Sequence, residues 1–182
     1  MKKETKILGL QRKKVKLLAY SPKWEKLFEA EKKRLCSAIG KYALNIQHVG
    51  STAISGMRAK PIIDIAVGVE SLDIGKKCVK PLEKLGYEYK HEAGVKGRHF
   101  FAKGPENNRT HYVHIEKLGS RPWQNHVLFR DYLCAHKKAV RKYSLLKEKL
   151  AKKYKNDRDT YTAKKHSFIE KIIKVAKRET RK

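Results

Sequence analysis

The first predicted element is an amphipathic helix. Between residues 21 and 40 the large apolar residues recur at helical spacing, which places them along one face of a helix. They are Trp24, Leu27, Phe28, Leu35 and Ile39. Ser21 before Pro22 is a favourable helix start, and Gly40 marks the end. One face of this helix is therefore expected to lie against the core.

Two short apolar runs on either side of a Gly-Ser turn indicate strands rather than helices. The run "LNIQHV" (44–49) leads into Gly50 and Ser51, and "PIIDIAVGV" (61–69) is a β-branched run typical of strands buried on both faces. Residues 71–86 are predicted as an interrupted helix closed by Gly86, and further strands are predicted at 87–91, 99–103 and 111–116. The middle of the chain is thus expected to be mostly sheet.

From Trp123 onward the apolar pattern returns to a helical period. Its members are Ala139, Tyr143, Leu146 and Leu150 and, after a break around "NDRDT", Phe168, Ile172 and Ala176. We predict a C-terminal helical hairpin or bundle, and an α+β fold class overall. Without an internal repeat or low-complexity linker, one domain is expected over 20–176, with its sheet core at about 44–117 and its C-terminal helices at about 120–176. A basic N-terminal extension (1–19) and a basic tail (177–182) would flank it.

Basic residues dominate the composition. The chain has 45 Lys and Arg against 18 Asp and Glu, a formal net charge of +27, and such a field attracts polyanions. Residues 137–182 alone carry 18 basic and 5 acidic residues. The C-terminal helices are therefore the predicted surface for RNA, with a solvated lysine-rich surface as an equally weighted alternative. Few aromatic residues alternate with these lysines, which argues against recognition of bases by stacking.

Cysteine usage and hydropathy predict a cytoplasmic protein. Cys36, Cys78 and Cys134 are widely separated and form no CxxC spacing, which is typical of neither a disulfide framework nor a zinc ribbon. No apolar stretch approaches the ~20 residues that cross a bilayer, and the N-terminal segment lacks the apolar core of a signal peptide. We expect no membrane partner; the sequence leaves the oligomeric state open.

The spacing of Gly50, Ser51 and Asp64 matches the layout of the nucleotidyltransferase signature. In that layout a Gly-Ser turn opening a short helix binds phosphates, and a downstream strand carries two acids that hold divalent metals. Residues two apart on a strand share a face, so the second acid is expected at Ala66. Alanine cannot bind metal, and two-metal catalysis from this strand alone is therefore not predicted.

Four segments, in order along 20–173, together resemble the GrpB family, also called UPF0157. They are "YSPKWEKLFEAEKKRL" (20–35), "HVGSTAISGMRAKPIIDIAVGV" (48–69), "RTHYVHIEKLGS" (109–120) and "NHVLFRDYLCAHKKAVRKYSLLKEKLA" (125–151). The most specific parts are 48–52 followed by 60–65, and then 129–133. Many members read His-His-x-His where this chain has His111, Tyr112, Val113 and His114, so one imidazole is missing.

The resemblance implies a fold more clearly than an activity. It implies a nucleotidyltransferase-like mixed β-sheet packed with helices, in which a single Asp at position 64 is a family trait rather than damage in this chain. A similar domain occurs fused behind dephospho-coenzyme A kinases, where it resembles a folding accessory. This chain lacks the GxxxxGK[ST] loop of such kinases.

Asp64, His114 and Glu116 are the predicted catalytic and metal-binding residues. Alternation along 109–117 puts Tyr112, His114 and Glu116 on one face of their strand, where His114 or Glu116 could meet Asp64 across the sheet. Such a mixed oxygen and nitrogen set would hold Mg²⁺ or another divalent metal. The alternatives are a hydrogen-bonded structural histidine at 114 and, for Asp64, an ion pair with Lys60 or Arg98.

The predicted phosphate- or nucleotide-binding residues surround the Gly-Ser turn. Gly50 would allow close backbone approach, and Ser51 and Thr52 would supply hydroxyl groups. Lys60 would neutralise phosphate charge. The remaining two are His48 and Arg98. Ordinary turn, capping and ion-pairing roles are the alternatives for this set.

Three hypotheses follow for function. The first is an enzyme or vestigial enzyme of the nucleotidyltransferase-like fold that binds a nucleotide or phosphorylated small molecule. Because Ala66 replaces the second acid, the sequence leaves open whether it carries out metal-dependent nucleotidyl or phosphoryl transfer. The second is an RNA-binding protein that uses the C-terminal helices. The third is a non-catalytic accessory module. We expect the first, with Asp64 at its centre.

Overall fold

A computed structural model describes residues 7–180 and contains a five-stranded sheet with seven α-helices. The elements in chain order are α1 (Lys23–Ile39), β1 (Ala43–Val49), β2 (Ile63–Val69), α2 (Leu72–Lys76), α3 (Val79–Lys84), β3 (Tyr87–Tyr89), β4 (Arg98–Lys103), β5 (His111–Lys117), α4 (Arg121–Ala135), α5 (Lys137–Lys153), α6 (Arg158–Lys164) and α7 (His166–Glu179). A 3₁₀ turn spans Ser51–Ala53. Within residues 7–180, no helix is both long and apolar enough to cross a membrane.

The sheet has the order β1-β2-β5-β4-β3. β2 and β5 are parallel neighbours, and the other adjacent pairs are antiparallel. In the β2–β5 register Asp64 lies opposite Tyr112, and Ala66 lies opposite His114. The apolar run of β2 therefore forms an interior strand between β1 and β5, buried along most of its length as its β-branched composition predicted, and the sheet is mixed.

Helices cover the two faces of the sheet unequally. On one face α1, α2 and α3 pack over Ile63, Ile65, Val113 and Ile115, with Trp24 and Leu35 of α1 completely buried. This is the main core, and it explains the apolar face predicted for α1. The opposite face carries Asp64 and Ala66, and α4 covers only part of it. One face thus supplies stability and leaves the other free to form a site.

The C-terminal third contains four helices rather than a simple hairpin. α4 packs against the sheet on one side and against α5 and α7 on the other. A second cluster joins Ile54 and Met57 of the loop before β2 to Phe129, Tyr143 and Ile172 of these helices. The predicted break around "NDRDT" corresponds to the connection between α5 and α6. The helices are therefore anchored directly to the loop that carries the Gly-Ser turn.

Two predicted boundaries differ from the observed packing. The segment 7–19, predicted as an extension, lies against the domain: Leu10 and Leu18 bridge to Arg109 and Ala59, and Val15 is buried in a small cluster with α5 and α6. At the other end α7 continues to Glu179, beyond the predicted domain end at 176. Residues 1–6 and 181–182 of the predicted extension and tail lie outside the described residues.

Candidate functional site

Asp64 lies on the face of the sheet that α4 covers only in part. Its side chain keeps 32% of its surface exposed, and one carboxylate oxygen lies 3.7 Å from Nε2 of His114 on β5. A Cβ at Gly50 would lie 2.7 Å from the other oxygen, and Gly50 has a φ of 72°. Only glycine fits this close approach between turn and carboxylate. The Gly-Ser turn and Asp64 therefore form one unit, as the spacing predicted.

Lys147 of α5 connects the C-terminal helices to the turn. Its Nζ donates to Oγ of Ser51 at 3.0 Å and to the carbonyl of Arg58, and the side chain is only 2% exposed. Glu148, the next residue on α5, pairs with Arg58 rather than with Lys147. A buried ammonium group thus faces the turn while bound only to uncharged oxygens.

Three further basic side chains converge on the same place. Lys60 and Lys165 both lie over the ring of Tyr161, with Nζ at 5.7 and 4.4 Å from its centroid. Arg158 lies over the ring of Tyr112, 5.4 Å from its centroid, and Tyr112 is the β5 neighbour of Asp64. We call Lys60, Lys147, Arg158 and Lys165 the cation cluster.

Burial perturbs the protonation of the cation cluster. Burial, reinforced by Lys165 and Arg158, holds the pKa of Lys60 well below its ordinary value. Burial, with a smaller effect of Lys165, does the same for the pKa of Lys147. The pKa of Lys165 falls to about 8 because burial and Arg158 outweigh the attraction of Asp64. These amines are close enough together that each would gain from an anion placed among them.

Asp64 is the acid that faces this positive charge. Burial alone would raise the pKa of Asp64, but the nearby His114 and Lys60 outweigh it, and the net effect is a lowered pKa. The carboxylate is therefore held in its charged form. His114 is its nearest basic group among the described residues, at a longer distance than a good hydrogen bond. Within residues 7–180, no side-chain nitrogen of Lys60 or Arg98 lies within 4.0 Å of an Asp64 carboxylate oxygen. Neither residue is therefore its ion-pair partner.

His48 and Thr52, two of the predicted phosphate-binding residues, lie in the support of the turn. His48 stacks on Phe28 of α1, and its two ring nitrogens contact Glu25 at 3.2 Å and the hydroxyl of Thr52 at 3.1 Å. The Thr52 hydroxyl is buried and donates to the carbonyl of Ile62. Both side chains are thus engaged away from Asp64, which leaves Ser51 as the hydroxyl group beside the cation cluster.

Arg98, also predicted to bind phosphate, is instead joined to His114. Its guanidinium donates to Nδ1 of His114 at 2.9 Å and to the carbonyls of Glu92 and Ala93. A guanidinium can only donate, so Nδ1 of His114 accepts, and the ring proton lies on Nε2. Nε2 is buried and has no hydrogen-bond partner. It points to the side of the ring on which Asp64 lies.

Glu116, the third predicted catalytic residue, lies away from Asp64 and beside His126 of α4. Its carboxylate is completely buried, one oxygen lies 3.3 Å from Nε2 of His126, and neither oxygen has a hydrogen-bond partner. His114, Glu116 and His126 offer ligand atoms within 4.8 Å of one another, the one such group found in residues 7–180. The three predicted residues therefore do not form one site. His114 lies near both Asp64 and Glu116, which lie apart from each other.

The residues fit a divalent metal better at Asp64 than around His114. A metal at Nε2 of His114 would have to displace the proton that the Arg98 contact places there, and Arg98 itself adds positive charge. The Glu116 oxygens are available as ligands, but they lie beside the same arginine. Asp64 is partly exposed, and a single carboxylate together with phosphate oxygens and water is an ordinary set for Mg²⁺.

The sequence did not identify Lys147, Arg158, Lys165 or His126 as site residues. The first three were part of the basic excess of residues 137–182, where nothing in their local spacing separates them from surface lysines. No local pattern marks His126, because its contact with Glu116 joins elements distant in sequence. Arg130 connects α4 to the sheet by donating to the side chain of Gln47 and to the carbonyl of His48, and it forms an ion pair with the adjacent Asp131.

The mixed sheet, the Gly-Ser turn and the strand aspartate define a nucleotidyltransferase-like protein. A crystal structure of the Cid1 poly(U) polymerase with MgGTP bound superposes with a TM-score of 0.51 and 18% identity, covering 74% of this chain and 44% of that one. This likeness establishes the fold alone. The chain itself belongs to the GrpB family, whose description is "GrpB protein" and which matches residues 14–175.

Two relatives support this assignment over most of the chain. The glutamate-rich protein GrpB of Alkalihalophilus pseudofirmus is 41% identical over 171 residues, which is 92% of this chain and 98% of that protein. The crystal structure of the conserved protein GrpB from Enterococcus faecalis superposes with a TM-score of 0.85 at 34% identity and covers 92% of this chain and 100% of that one. The predicted family and fold class are confirmed.

Proposed function

We propose that this protein binds the phosphate chain of a nucleotide between the Gly-Ser turn and the C-terminal helices. The observation that carries the proposal is the placement of four basic side chains around the Gly-Ser turn and Asp64. Lys60 and Lys165 share the ring of Tyr161 and are close enough to Asp64 to feel its charge. Arg158 lies over Tyr112, the β5 neighbour of Asp64, and Lys147 is bound to Ser51. Cations this close repel one another and lose hydration when buried, so the arrangement is costly without an anion. A chain of two or three phosphates would distribute its charge over all four.

Each side chain of the site has a distinct part in this proposal. Lys60, Lys165 and Arg158 would contact non-bridging phosphate oxygens, and Lys147 would hold Ser51 in place while adding its charge. The protonated Nε2 of His114 lies beside Asp64 and could donate to a phosphate oxygen there. The nucleotide class is supported further by the shared fold with a polymerase whose structure contains MgGTP.

Asp64 would hold one divalent ion together with oxygens of the bound phosphate chain. Magnesium would neutralise part of the phosphate charge and orient the chain for nucleotidyl or phosphoryl transfer. Because Ala66 stands where the second acid would be, Asp64 is the only acid that β2 offers to the site. We therefore propose nucleotide binding as the function, with transfer as the reaction that this site would support.

The proposal is tested by isothermal titration of ATP, UTP and inorganic triphosphate, each with and without Mg²⁺. Lys165→Gln removes one cation from the cluster, and Lys164→Gln is the matched control because Lys164 is the adjacent residue, at the end of α6, and is exposed. Loss of one charged contact should weaken binding about tenfold or more for Lys165→Gln alone. Equal affinities of the two variants, or the absence of binding by the unaltered protein, would contradict the proposal.

Asp64→Asn should have opposite effects on triphosphate binding in the absence and in the presence of Mg²⁺. Without metal, removal of a negative charge from among the cations should strengthen triphosphate binding. With Mg²⁺, the gain in affinity that the metal gives the unaltered protein should disappear. Release of pyrophosphate from radiolabelled nucleotide, measured in parallel, reports on transfer. A variant that keeps the full Mg²⁺ effect would place the metal elsewhere.

A further inference from the structure

A groove of about 680 Å³ lies beside Asp64, on the same face of the sheet. Its floor includes Phe100 of β4 and Tyr112 of β5, whose ring centroids are 5.1 Å apart. The guanidinium of Arg98 lies over Phe100 at 4.8 Å, and that of Arg158 lies over Tyr112 at 5.4 Å. The two rings are tilted by 48° to each other, and each has an arginine guanidinium over it.

Basic residues outnumber acids around this floor. The basic lining residues are Arg12, Lys13, Lys90, Arg98, Arg109 and Arg158, and the acidic ones are Asp157 and Asp159. Asp157 is engaged at the start of α6, where its carboxylate accepts from the backbone of Thr160. Arg12 and Lys13 are exposed at the edge of the groove. The positive charge thus extends well beyond the cation cluster.

We propose that this aromatic groove binds single-stranded nucleic acid. Bases stack on aromatic rings and on guanidinium planes without regard to sequence, while arginine and lysine contact the phosphates between them. Lys90 and Arg109 are paired with Glu88, and Arg98 is hydrogen-bonded to His114, so Arg12, Lys13 and Arg158 are the lining cations that would contact phosphates. Because Arg12 and Lys13 belong to the N-terminal segment and Arg158 to α6, a strand of several nucleotides would reach both groups more readily than one nucleotide would. In a duplex the bases are stacked inside the helix, so none is available to stack on the floor of the groove.

The position of the groove determines where a bound strand would lie relative to the proposed nucleotide site. Tyr112 is the neighbour of Asp64 in the β2–β5 register, and Arg158 belongs both to the groove and to the cation cluster. One end of a bound strand would therefore lie beside Asp64. The binding itself does not depend on the proposed nucleotide site, because Arg12, Lys13 and the aromatic floor lie outside the cation cluster.

This surface differs from the one predicted from charge alone. Its aromatic floor comes from β4 and β5, and two of its cations come from the N-terminal segment; of the C-terminal helices, α6 and the turn before it contribute. The exposed lysines of α5 and α7 are not part of the lining. The sequence did not predict the groove because its residues are far apart along the chain. They include Arg12, Phe100, Tyr112 and Arg158.

The charge of the groove is tested with a fluorescent RNA of about eight nucleotides, by anisotropy, in buffer free of nucleotide and metal. Arg12→Glu combined with Lys13→Glu should weaken binding about tenfold or more and make the salt dependence shallower. The matched control combines Lys26→Glu with Lys33→Glu, the same charge change at exposed positions of α1 on the opposite face of the sheet. Equal losses in the two variants would overturn the proposal, because they would indicate only the general field.

Stacking is tested separately from charge. Tyr112→Leu should weaken binding about fivefold or more, while Tyr112→Phe, which keeps the ring, should not, with melting temperatures measured for both. An abasic strand of the same length needs no variant, and it should compete much less well than RNA. Equal competition by the abasic strand would overturn the proposal. Single-stranded DNA as a third competitor distinguishes RNA from DNA as the ligand.

One variant separates this proposal from nucleotide binding. Lys165→Gln should lose affinity for triphosphate but keep most of its affinity for the labelled strand, because Lys165 does not line the groove. Loss of both ligands together would mean that they share one site, and the separate groove would then be wrong. Retention of strand binding by a variant that no longer binds triphosphate would support it.

Discussion

Trp123 of α4 packs against Ala66 of β2, and both side chains are buried together with Val49. Ala66 occupies the place where the nucleotidyltransferase signature has its second acid. An indole ring covers this place, so a carboxylate there would meet apolar groups rather than water or metal. The absence of the second acid is therefore part of how α4 packs on the sheet.

Restoring the acid should destabilise the protein instead of completing a metal site. Ala66→Asp would bury a charge between Trp123 and His114, and burial lowers the pKa of His114, so the histidine offers a neutral ring rather than a counter-charge. We expect a cost of about 3–5 kcal/mol in the free energy of unfolding. Urea denaturation measures this loss. Ala66→Asn has nearly the same size without the charge and should lose less. An Asp variant as stable as the unaltered protein would show that the position can reach solvent.

Gly50 should tolerate no side chain. Gly50→Ala would force a Cβ to within 2.7 Å of the Asp64 carboxylate, in a backbone conformation with φ 72° and ψ −170° that only glycine adopts readily. We expect a loss of about 1–3 kcal/mol in stability and loss of triphosphate binding. Gly56→Ala is the control, since Gly56 has φ +73° but nothing within 4 Å of an added Cβ. If both variants bind triphosphate equally well, the contact with Asp64 is unimportant.

Binding of a phosphate chain should take up protons. The pKa of Lys165 is about 8, lowered by burial, so this amine is partly neutral at mildly alkaline pH. A bound anion favours the ammonium form and raises the pKa, so protons bind with the ligand and affinity falls as the pH rises through about 8. Titration calorimetry in buffers of different ionisation enthalpy measures the uptake. Lys165→Arg should reduce both effects because a guanidinium stays charged. If the affinity does not change as the pH rises through about 8, the prediction is wrong.

The buried Glu116 should be energetically coupled to His126. His126→Ala would leave the Glu116 carboxylate without its nearest neighbour in α4 and should cost about 1–3 kcal/mol of stability. Glu116→Gln removes the charge, so His126→Ala should cost less stability in the Glu116→Gln variant than in the unaltered protein. A double-mutant cycle by urea denaturation gives the coupling energy. Additive losses would mean that the two side chains do not interact.

Local sequence patterns predicted most of the fold because they report on burial. The β-branched run of β2 predicted a strand buried on both faces, and the helical spacing from Trp24 to Ile39 predicted α1. The segment 7–19 was not predicted to pack, since its contacts with Arg109 and Ala59 are isolated bridges with no periodic pattern. Alternation in β5 correctly placed His114 and Glu116 on one face, but alternation cannot tell which of them meets Asp64.

The sequence by itself determined the family, the course of the chain through sheet and helices, and the pairing of the Gly-Ser turn with Asp64. The tertiary structure decided which of 45 basic residues reach that aspartate and which side chains form the groove beside it. The physical reason is that burial leaves a periodic trace along the chain, whereas convergence of charges does not. Lys60, Lys147, Arg158 and Lys165 come together only because α5, α6 and α7 pack over the loop before β2.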